Sequence, residues 1–256
     1  MDASFERLIA EGEAAPAQGW DFSWFDGRAT EERPSWGYAR LAAARIGAAR
    51  AVLDVQTGGA EVFAEALTAA ARAPVLIAAT ESWPPNLAIA RRRLEPFGGA
   101  VAASGDDDAL PFDAESFDLV LSRHPVPGHE PFGEIGRVLT RGGAFLGQLI
   151  GERSNAELYE FMLGAQPKSV EPRIEQVARL AEAAGLEPVD LREERTRVEF
   201  LDVGAIVHFL RKVIWTVPGF TVERYRDRLR DAHEIIQHDG VFVAHSARIL
   251  LEARRA

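Results

Sequence analysis

A short segment around two adjacent glycines, Val52–Glu61, has the residue types of a ligand-binding loop. Asp54 lies in an apolar run, Gly58 and Gly59 form a turn, and a helix is expected to begin near Ala60. Such a loop presents backbone N–H groups and a helix N-terminus at the carboxyl end of a strand, where open α/β sheets bind ligands. The segment therefore predicts a small-molecule site, and a tight connection without a ligand is the alternative.

The glycine spacing excludes two common nucleotide-binding loops. From Gly58 the chain reads Gly-Gly-Ala-Glu-Val-Phe, which is not the G-x-G-x-x-G pattern of dinucleotide-binding proteins. It also lacks the Gly-Lys-Ser/Thr ending of a phosphate-binding P-loop. The turn is too poor in glycine to wrap a pyrophosphate, but it can pass beside an amino-acid tail.

A carboxylate, Glu81, follows the second predicted strand directly. At this position it can accept hydrogen bonds from both hydroxyls of a ribose, as the acidic residue of dinucleotide-binding folds does. The alternative is an exposed carboxylate near Arg91 or Arg92, which would contribute little.

An acidic loop, Gly105–Ser116, follows the third predicted strand and begins with Asp106, Asp107 and Asp108. One side-chain acceptor and one backbone N–H would be enough to recognise an adenine base. Because runs of aspartate are usually solvated turns, we expect only one of the three to contact a ligand.

A parallel sheet is needed to bring these residues together, and the pattern from Arg50 onward predicts one. Short apolar runs alternate with segments of helical period, as in β-α-β units. The predicted strands are Ala51–Val55, Val75–Ala79, Ala100–Ser104, Phe117–Ser122, Ala144–Ile150 after a turn at Gly142-Gly143, Pro188–Glu193 or on toward Phe200, and Val241–Glu252. The predicted helices begin near Ala60 and span Pro84–Leu94, Phe132–Leu139, Ile174–Ala184, Val203–Val213 and Thr221–His238.

The first part of the chain differs in composition from the rest. It is rich in aromatic residues and ends in a predicted helix, Tyr38–Ala49. We therefore expect residues 1–49 to form a cap that is part of the same domain as residues 50–256, with a helical lid insertion at about 202–238.

Composition limits the possible partners and compartments. A net charge of -10 disfavours nucleic acid, because proteins that bind phosphate backbones concentrate Lys and Arg. The absence of cysteine excludes disulfides and thiolate chemistry, and no His, Asp or Glu spacing predicts a metal. Without a secretory signal or an apolar stretch of membrane-spanning length, the expectation is a cytoplasmic protein without membrane association.

Together, the glycine segment, Glu81 and the acidic loop resemble the S-adenosylmethionine site of class I methyltransferases. The resemblance covers roughly residues 50–150 and is specific only as an ensemble. It implies a Rossmann-like, seven-stranded, mostly parallel α/β sheet with an antiparallel last strand, and S-adenosylmethionine as cofactor with S-adenosylhomocysteine as product. The cofactor-binding residues that it implies are Asp54, Gln56, Thr57, Gly58, Gly59, Ala60, Glu81, Ser82, Trp83, Asp106, Asp107 and Ser122.

The glycine turn departs from the family pattern. Where the family has G-x-G-x-G, this chain has Gln56, Gly58 and Ala60. Ala60 is compatible with a right-handed helix start, and Gln56 is acceptable if its position needs no positive φ, so we expect neither residue in the left-handed region. The departure predicts weaker binding or a repositioned methionine end.

A histidine after the fourth predicted strand, His124, is the predicted general base or acceptor-orienting residue, with Arg123 as its electrostatic neighbour. The carboxyl end of that strand opens onto the ligand crevice. Pro125 predicts an extended backbone at His124. Arg123 would favour the neutral ring, which can take up a proton near pH 7. The alternative is that His124 only hydrogen-bonds the turn.

The leading functional hypothesis is a methyltransferase for a small-molecule acceptor held between the aromatic cap and the helices at 203–238. Trp24, Trp36, Trp215 and Tyr225 would suit a flat or apolar acceptor, although the cap aromatics predict an ordinary core equally well. Two alternatives remain open. One is a protein of this fold that binds the cofactor or another ligand without methyl transfer, and the other is a cyclase-like enzyme.

Overall fold

The computed structural model describes residues 3–17, 22–105, 108–125, 128–167 and 173–256. Within these ranges the chain forms an α/β fold. The strands are β1 (Ala29–Glu31), β2 (Ala51–Val55), β3 (Leu76–Glu81), β4 (Ala100–Ala103), β5 (Phe117–Arg123), β6 (Leu139–Ile150), β7 (Leu186–Phe200) and β8 (Phe242–Arg255).

The helices alternate with the strands through the middle of the chain. They are α1 (Ala3–Ala14), α2 (Tyr38–Ile46), α3 (Glu61–Ala69), α4 (Pro84–Leu94), α5 (Phe132–Val138), α6 (Ala156–Leu163), α7 (Arg173–Ala183), α8 (Val203–Lys212) and α9 (Val222–Asp239). None of these described helices has the length and apolar character needed to cross a bilayer.

The described strands form one mixed sheet in the order β1-β7-β8-β6-β5-β2-β3-β4. The pairs from β4 through β3, β2 and β5 to β6 are parallel, and β8 pairs antiparallel with β6. The predicted Rossmann-like sheet with an antiparallel last strand is therefore confirmed. The expected count of seven strands is wrong by one, because β1 adds an eighth strand by pairing antiparallel with the end of β7.

The predicted turn at Gly142-Gly143 lies inside β6, which begins at Leu139. Phe117 of β5 pairs with Leu139 but Leu119 pairs with Ala144, so β6 carries extra residues at this point. Gly142 has a φ of 71°. The glycines therefore produce an irregularity in the ladder rather than a break between helix and strand.

The central strands are buried on both faces, as their almost continuously apolar sequences predict. Val52, Leu119 and Leu146 lie in one apolar cluster, while Leu53, Val120 and Phe145 lie in another. Adjacent residues of a strand point to opposite faces, so the two clusters cover opposite sides of the sheet. Rigid central strands of this kind fix the positions of the loops at their carboxyl ends.

The chain divides into two compact units. One contains the described residues of 34–152, 170–194 and 248–256, and includes the central parallel strands. The other contains those of 1–33, 153–169 and 195–247. In the second unit α1 packs closely on α8. The two backbones can approach because Gly12 and Gly204 have no Cβ atom, and a Cβ atom at either position would clash with the other helix. The predicted cap residues thus fall into both units, and the predicted lid at 202–238 lies within the second.

Candidate functional site

The loop after β2 is tied to the end of the neighbouring strand β3. The backbone N–H of Thr57 donates to the carbonyl oxygen of Thr80 at 2.9 Å, and that of Gln56 donates to the Thr80 hydroxyl at 3.2 Å. On the other side of β2, the Ser122 hydroxyl donates to the carbonyl oxygen of Val55 at 3.2 Å. The carboxyl ends of β2, β3 and β5 therefore bring the predicted ligand-binding residues together.

The glycine turn adopts a backbone path that favours glycine at three alternate positions. Gln56, Gly58 and Ala60 have φ values of 57°, 63° and 60°. The expectations of a right-handed Ala60 and of no positive φ at Gln56 are therefore wrong. The bonds to Thr80 hold the loop on this path, although a left-handed conformation costs a non-glycine residue roughly 1–2 kcal/mol.

An arginine of α4, Arg93, secures the other end of the same loop. It donates to the carbonyl oxygen of Gly59 and forms an ion pair with Glu61 at 2.6 Å. Arg91 and Arg92 were the expected neighbours of Glu81, and no contact of Arg93 was predicted. The signal that was missed is the basic last turn of α4, which follows the predicted site directly in the chain.

Glu81 is buried, with an exposed fraction of 6%, so the alternative of a surface carboxylate is wrong. Its Oε1 accepts from the backbone N–H groups of Ser82 at 2.9 Å and Trp83 at 2.8 Å. Burial raises the pKa of Glu81, and the N–H groups of Trp83, Ser82 and Gly58 and the side chain of Asn86 oppose that rise by hydrogen bonding. The carboxylate therefore links the glycine loop to the start of α4.

Three buried polar atoms on the segments that follow β2, β3 and β4 have no hydrogen-bond partner among the described residues: Gln56 Oε1, Asn86 Oδ1 and Ser104 Oγ. Gln56 lies in the glycine loop, Asn86 near the start of α4, and Ser104 directly after β4, where its N–H donates to the carbonyl oxygen of Glu81. Unpaired buried acceptors are costly and call for a partner. S-adenosylmethionine offers matching donors in its ammonium group, ribose hydroxyls and adenine amine, so these residues fit the cofactor.

Gln56→Gly should raise the free energy of unfolding by roughly 1 kcal/mol, since it relieves a left-handed side chain and removes an unpaired buried oxygen. The same change should weaken binding of S-adenosylhomocysteine severalfold by deleting an acceptor, because one hydrogen bond contributes about 0.5–1.5 kcal/mol. Chemical denaturation and titration calorimetry would measure the two effects.

The matched control for Gln56→Gly is Glu115→Gly. Glu115 also has a positive φ, of 58°, but lies in an exposed turn before β5. This control should gain stability without any change in affinity. Parental affinity in Gln56→Gly would show that the glutamine oxygen does not bind the ligand.

Asp54 is buried at the end of β2 and accepts a hydrogen bond of 2.5 Å from the Thr57 hydroxyl. Burial raises its pKa to about 7, and the charge of nearby Glu81 acts in the same direction. The Thr57 bond and the positive charge of Arg123 oppose this rise. The carboxyl group therefore titrates near neutral pH beside the glycine loop.

Other predicted cofactor residues are more exposed or fall outside the described residues. Ser82 and Trp83 stand at the exposed start of α4. Asp106 and Asp107, the predicted adenine contacts, lie outside the described residues. Asp108 is exposed and accepts a hydrogen bond from the backbone N–H of Gly105 at 2.8 Å. Its carboxylate thus closes a turn.

His124 has a φ of 57°, so the predicted extended backbone before Pro125 is wrong. Its N–H donates to the carbonyl oxygen of Gln148 at 2.7 Å, and this tertiary bond overrides the local preference set by the proline. Burial lowers the pKa of His124 well below its usual value, with further lowering by Arg123 and Arg248. The ring is therefore neutral near pH 7, as Arg123 led us to expect.

The predicted acceptor-binding aromatics are divided between the two units. Trp36 is buried in the unit of the central strands, and its indole N–H donates to Gln148 Oε1 at 2.8 Å. Trp24, Trp215 and Tyr225 belong to the other unit. There Tyr225 is buried and stacks on Phe220, while Trp215 is exposed.

The comparisons with known proteins agree with this geometry. Residues 53–147 match the family model of a methyltransferase domain, while no curated protein matches the sequence. A solved candidate methyltransferase from Bacillus halodurans C-125 aligns with a TM-score of 0.57 at 21% identity, covering 84% of this chain and 96% of its own.

Two further solved structures are similar to this chain. The [4+2]-cyclase SpnF aligns with a TM-score of 0.53 at 18% identity over 98% of this chain and 91% of its own. A geranyl diphosphate methyltransferase in complex with S-adenosylmethionine aligns with a TM-score of 0.51 at 14% identity, covering 85% of this chain and 84% of its own. At such identities the likeness establishes the fold.

Proposed function

From the methyltransferase domain at residues 53–147 and the Rossmann-like methyltransferase fold around it, we propose that this protein binds S-adenosylmethionine and methylates a small-molecule acceptor. The observation that carries the proposal is buried Glu81 together with three buried polar atoms that have no partner among the described residues, on the segments that follow the parallel strands β2, β3 and β4. That edge of the sheet is where such folds bind ligands.

In this proposal each part of the crevice holds one part of the cofactor. The loop Gln56–Ala60 lines the methionine moiety, Glu81 with Asn86 holds the ribose, and Asp106 or Asp107 approaches the adenine. When bound, the cofactor supplies a methyl group that its sulfonium has already activated. The protein has to hold the acceptor in line with that group and exclude water.

A ribose that bonds to Glu81 has to share the carboxylate with protein donors. The N–H groups of Ser82 and Trp83 already bond to Oε1. The backbone N–H of Gly58 and the side chain of Asn86 bond to the same carboxylate. These donors oppose the rise in the pKa of Glu81 that burial causes, and they orient the carboxylate for charge-assisted bonds to hydroxyls.

The acceptor in this proposal is a small molecule that contacts Trp24, Trp36, Trp215 or Tyr225. The net charge of -10 supports a small molecule over a nucleic acid, since phosphate backbones require a basic surface. The similarity to a geranyl diphosphate methyltransferase gives further support. A cytoplasmic location remains part of the proposal.

The second candidate function is a reaction without methyl transfer, such as cyclisation. The similarity to a [4+2]-cyclase and the replacement of two family glycines by Gln56 and Ala60 favour it. Incubation with S-adenosylmethionine labelled in its methyl group and a panel of small acceptors separates the two functions. Labelled product with equimolar S-adenosylhomocysteine supports transfer. Conversion of an acceptor without label supports the second function.

A further inference from the structure

We propose that Trp36, Gln148 and His124 form a hydrogen-bonded relay that holds His124 as a donor through Nδ1, so that it positions an acceptor molecule by an anionic oxygen. This inference rests on the proposed function for its acceptor, but the relay itself is a property of the free protein. All three residues belong to the unit that contains the central strands.

The relay starts at the indole of Trp36, which has an N–H to donate and no acceptor. This N–H lies 2.8 Å from Gln148 Oε1, and both side chains are buried. If the amide were flipped, its NH2 group would face the indole N–H, and two donors would meet. The bond therefore determines which way the glutamine amide points. The Gln148 amide nitrogen is thereby directed toward His124.

The second bond of the relay determines the tautomer of the imidazole. Gln148 Nε2 lies 2.8 Å from His124 Nε2. An amide nitrogen only donates, so the ring nitrogen that faces it has to accept. A neutral imidazole has a single ring proton, which therefore resides on Nδ1.

Several features keep the ring neutral and in place. The positive charges of Arg123 and Arg248 lie near it, and both disfavour a second ring proton. The backbone N–H of His124 bonds to the Gln148 carbonyl oxygen at 2.7 Å, so main chain and side chain are both attached to the same residue. Within the described residues, Nδ1 has no hydrogen-bond partner.

His124 was expected to act either as a general base or as an acceptor-orienting residue, and the relay favours the second role. A general base needs a free lone pair, but the lone pair of Nε2 accepts from Gln148 and Nδ1 carries the proton. His124 can instead donate from Nδ1 to an oxygen of the acceptor molecule. Since Arg123 and Arg248 add positive charge beside the ring, an anionic oxygen such as a carboxylate or phenolate fits best. Such an acceptor has no proton to lose at that oxygen.

Nitrogen-15 NMR of the histidine side chains tests the relay in the free full-length protein. The His124 signals are assigned by comparison with His124→Asn. We expect a neutral ring protonated on Nδ1 throughout pH 6–8. A ring protonated on Nε2, or one that becomes charged within this range, would overturn the proposal.

Each bond of the relay is tested by one variant. Trp36→Phe removes the indole donor that orients the Gln148 amide, so both tautomers should appear at His124. Trp215→Phe, at an exposed tryptophan in the other unit, should leave the tautomer unchanged. A single unchanged tautomer in a folded Trp36→Phe protein would show that the indole does not control the relay.

Gln148→Glu reverses the second bond, because a carboxylate accepts and cannot donate. The ring should then carry a proton on Nε2 and become charged at a higher pH than in the parent. A folded variant that retains the Nδ1 tautomer and the parental titration would refute the relay. These signals require no cofactor, so a failed relay and a failed cofactor assignment are distinguishable.

Discussion

Glu81→Ala should weaken binding of S-adenosylhomocysteine about tenfold or more. The substitution removes a buried carboxylate that is proposed to accept from both ribose hydroxyls. Hydrogen bonds to charged groups contribute about 1.5–3 kcal/mol each, and about 1.4 kcal/mol corresponds to a factor of ten in affinity. Titration calorimetry on parent and variant measures the difference.

The control has to separate ligand contacts from the role of Glu81 in the fold. Alanine leaves the N–H groups of Ser82, Trp83 and Gly58 without their acceptor, so the variant will also lose stability. Glu81→Gln retains the shape and one acceptor oxygen and should fold better, with an intermediate affinity. Glu95→Ala, at an exposed carboxylate after α4, should bind as the parent does. Parental affinity in a folded Glu81→Ala protein would show that Glu81 stabilises the loop but does not bind the ligand.

Asp54→Asn should stabilise the protein above pH 7 and flatten its pH dependence. The folded-state pKa of Asp54 is about 7, against about 3.9 in an unfolded chain, so between these values the folded protein holds a proton that the unfolded chain has lost. The contribution of this group to stability is complete below about pH 4 and is lost as the pH rises through 7. Three pKa units correspond to about 4 kcal/mol.

Urea denaturation at pH 5 and pH 8 measures this effect. The parent should lose stability between the two values relative to Asp54→Asn, in which the Thr57 hydroxyl can still donate to the amide oxygen. Asp113→Asn, at an exposed residue of the loop before β5, is the matched control and should follow the parent. Equal pH dependence in parent and Asp54→Asn would show that Asp54 is already ionised in the folded protein.

The strands that carry the site could be predicted because their signals are local. The apolar run Ala51–Val55 coincides with β2, and the helix beginning at two prolines, Pro84–Leu94, coincides with α4. In contrast, β1 has only three residues, and it pairs with the end of β7, Val198–Phe200, which lies far along the chain. No local pattern reveals an edge strand that a distant partner creates. The helices α1 and α6 were also missed.

Within the site, residue types could be predicted but their partners could not. The glycine loop and Glu81 follow from sequence order, since loops after parallel strands meet at one edge of the sheet. Asn86, Arg93 and Gln148 were missed, because nothing near them in the chain indicates the groups that they contact. Hydrogen-bond partners from other elements are a matter of tertiary packing.

The backbone at Gln56 and His124 shows why local preference failed. Each was expected to avoid the left-handed region, and each adopts it while donating its N–H to a residue of a neighbouring strand, Thr80 or Gln148. Non-glycine residues in this region tend to occur at functional sites, where surrounding structure compensates for the strain. Both lie at the carboxyl ends of adjacent parallel strands.

Titration calorimetry of the unmodified protein with S-adenosylhomocysteine tests the central claim most directly. The product shares the amino-acid, ribose and adenine groups proposed to satisfy Glu81, Gln56 Oε1, Asn86 Oδ1 and Ser104 Oγ. We expect saturable binding of one ligand per chain, and competition by S-adenosylmethionine for the same site. No binding of either compound at millimolar concentration would contradict it.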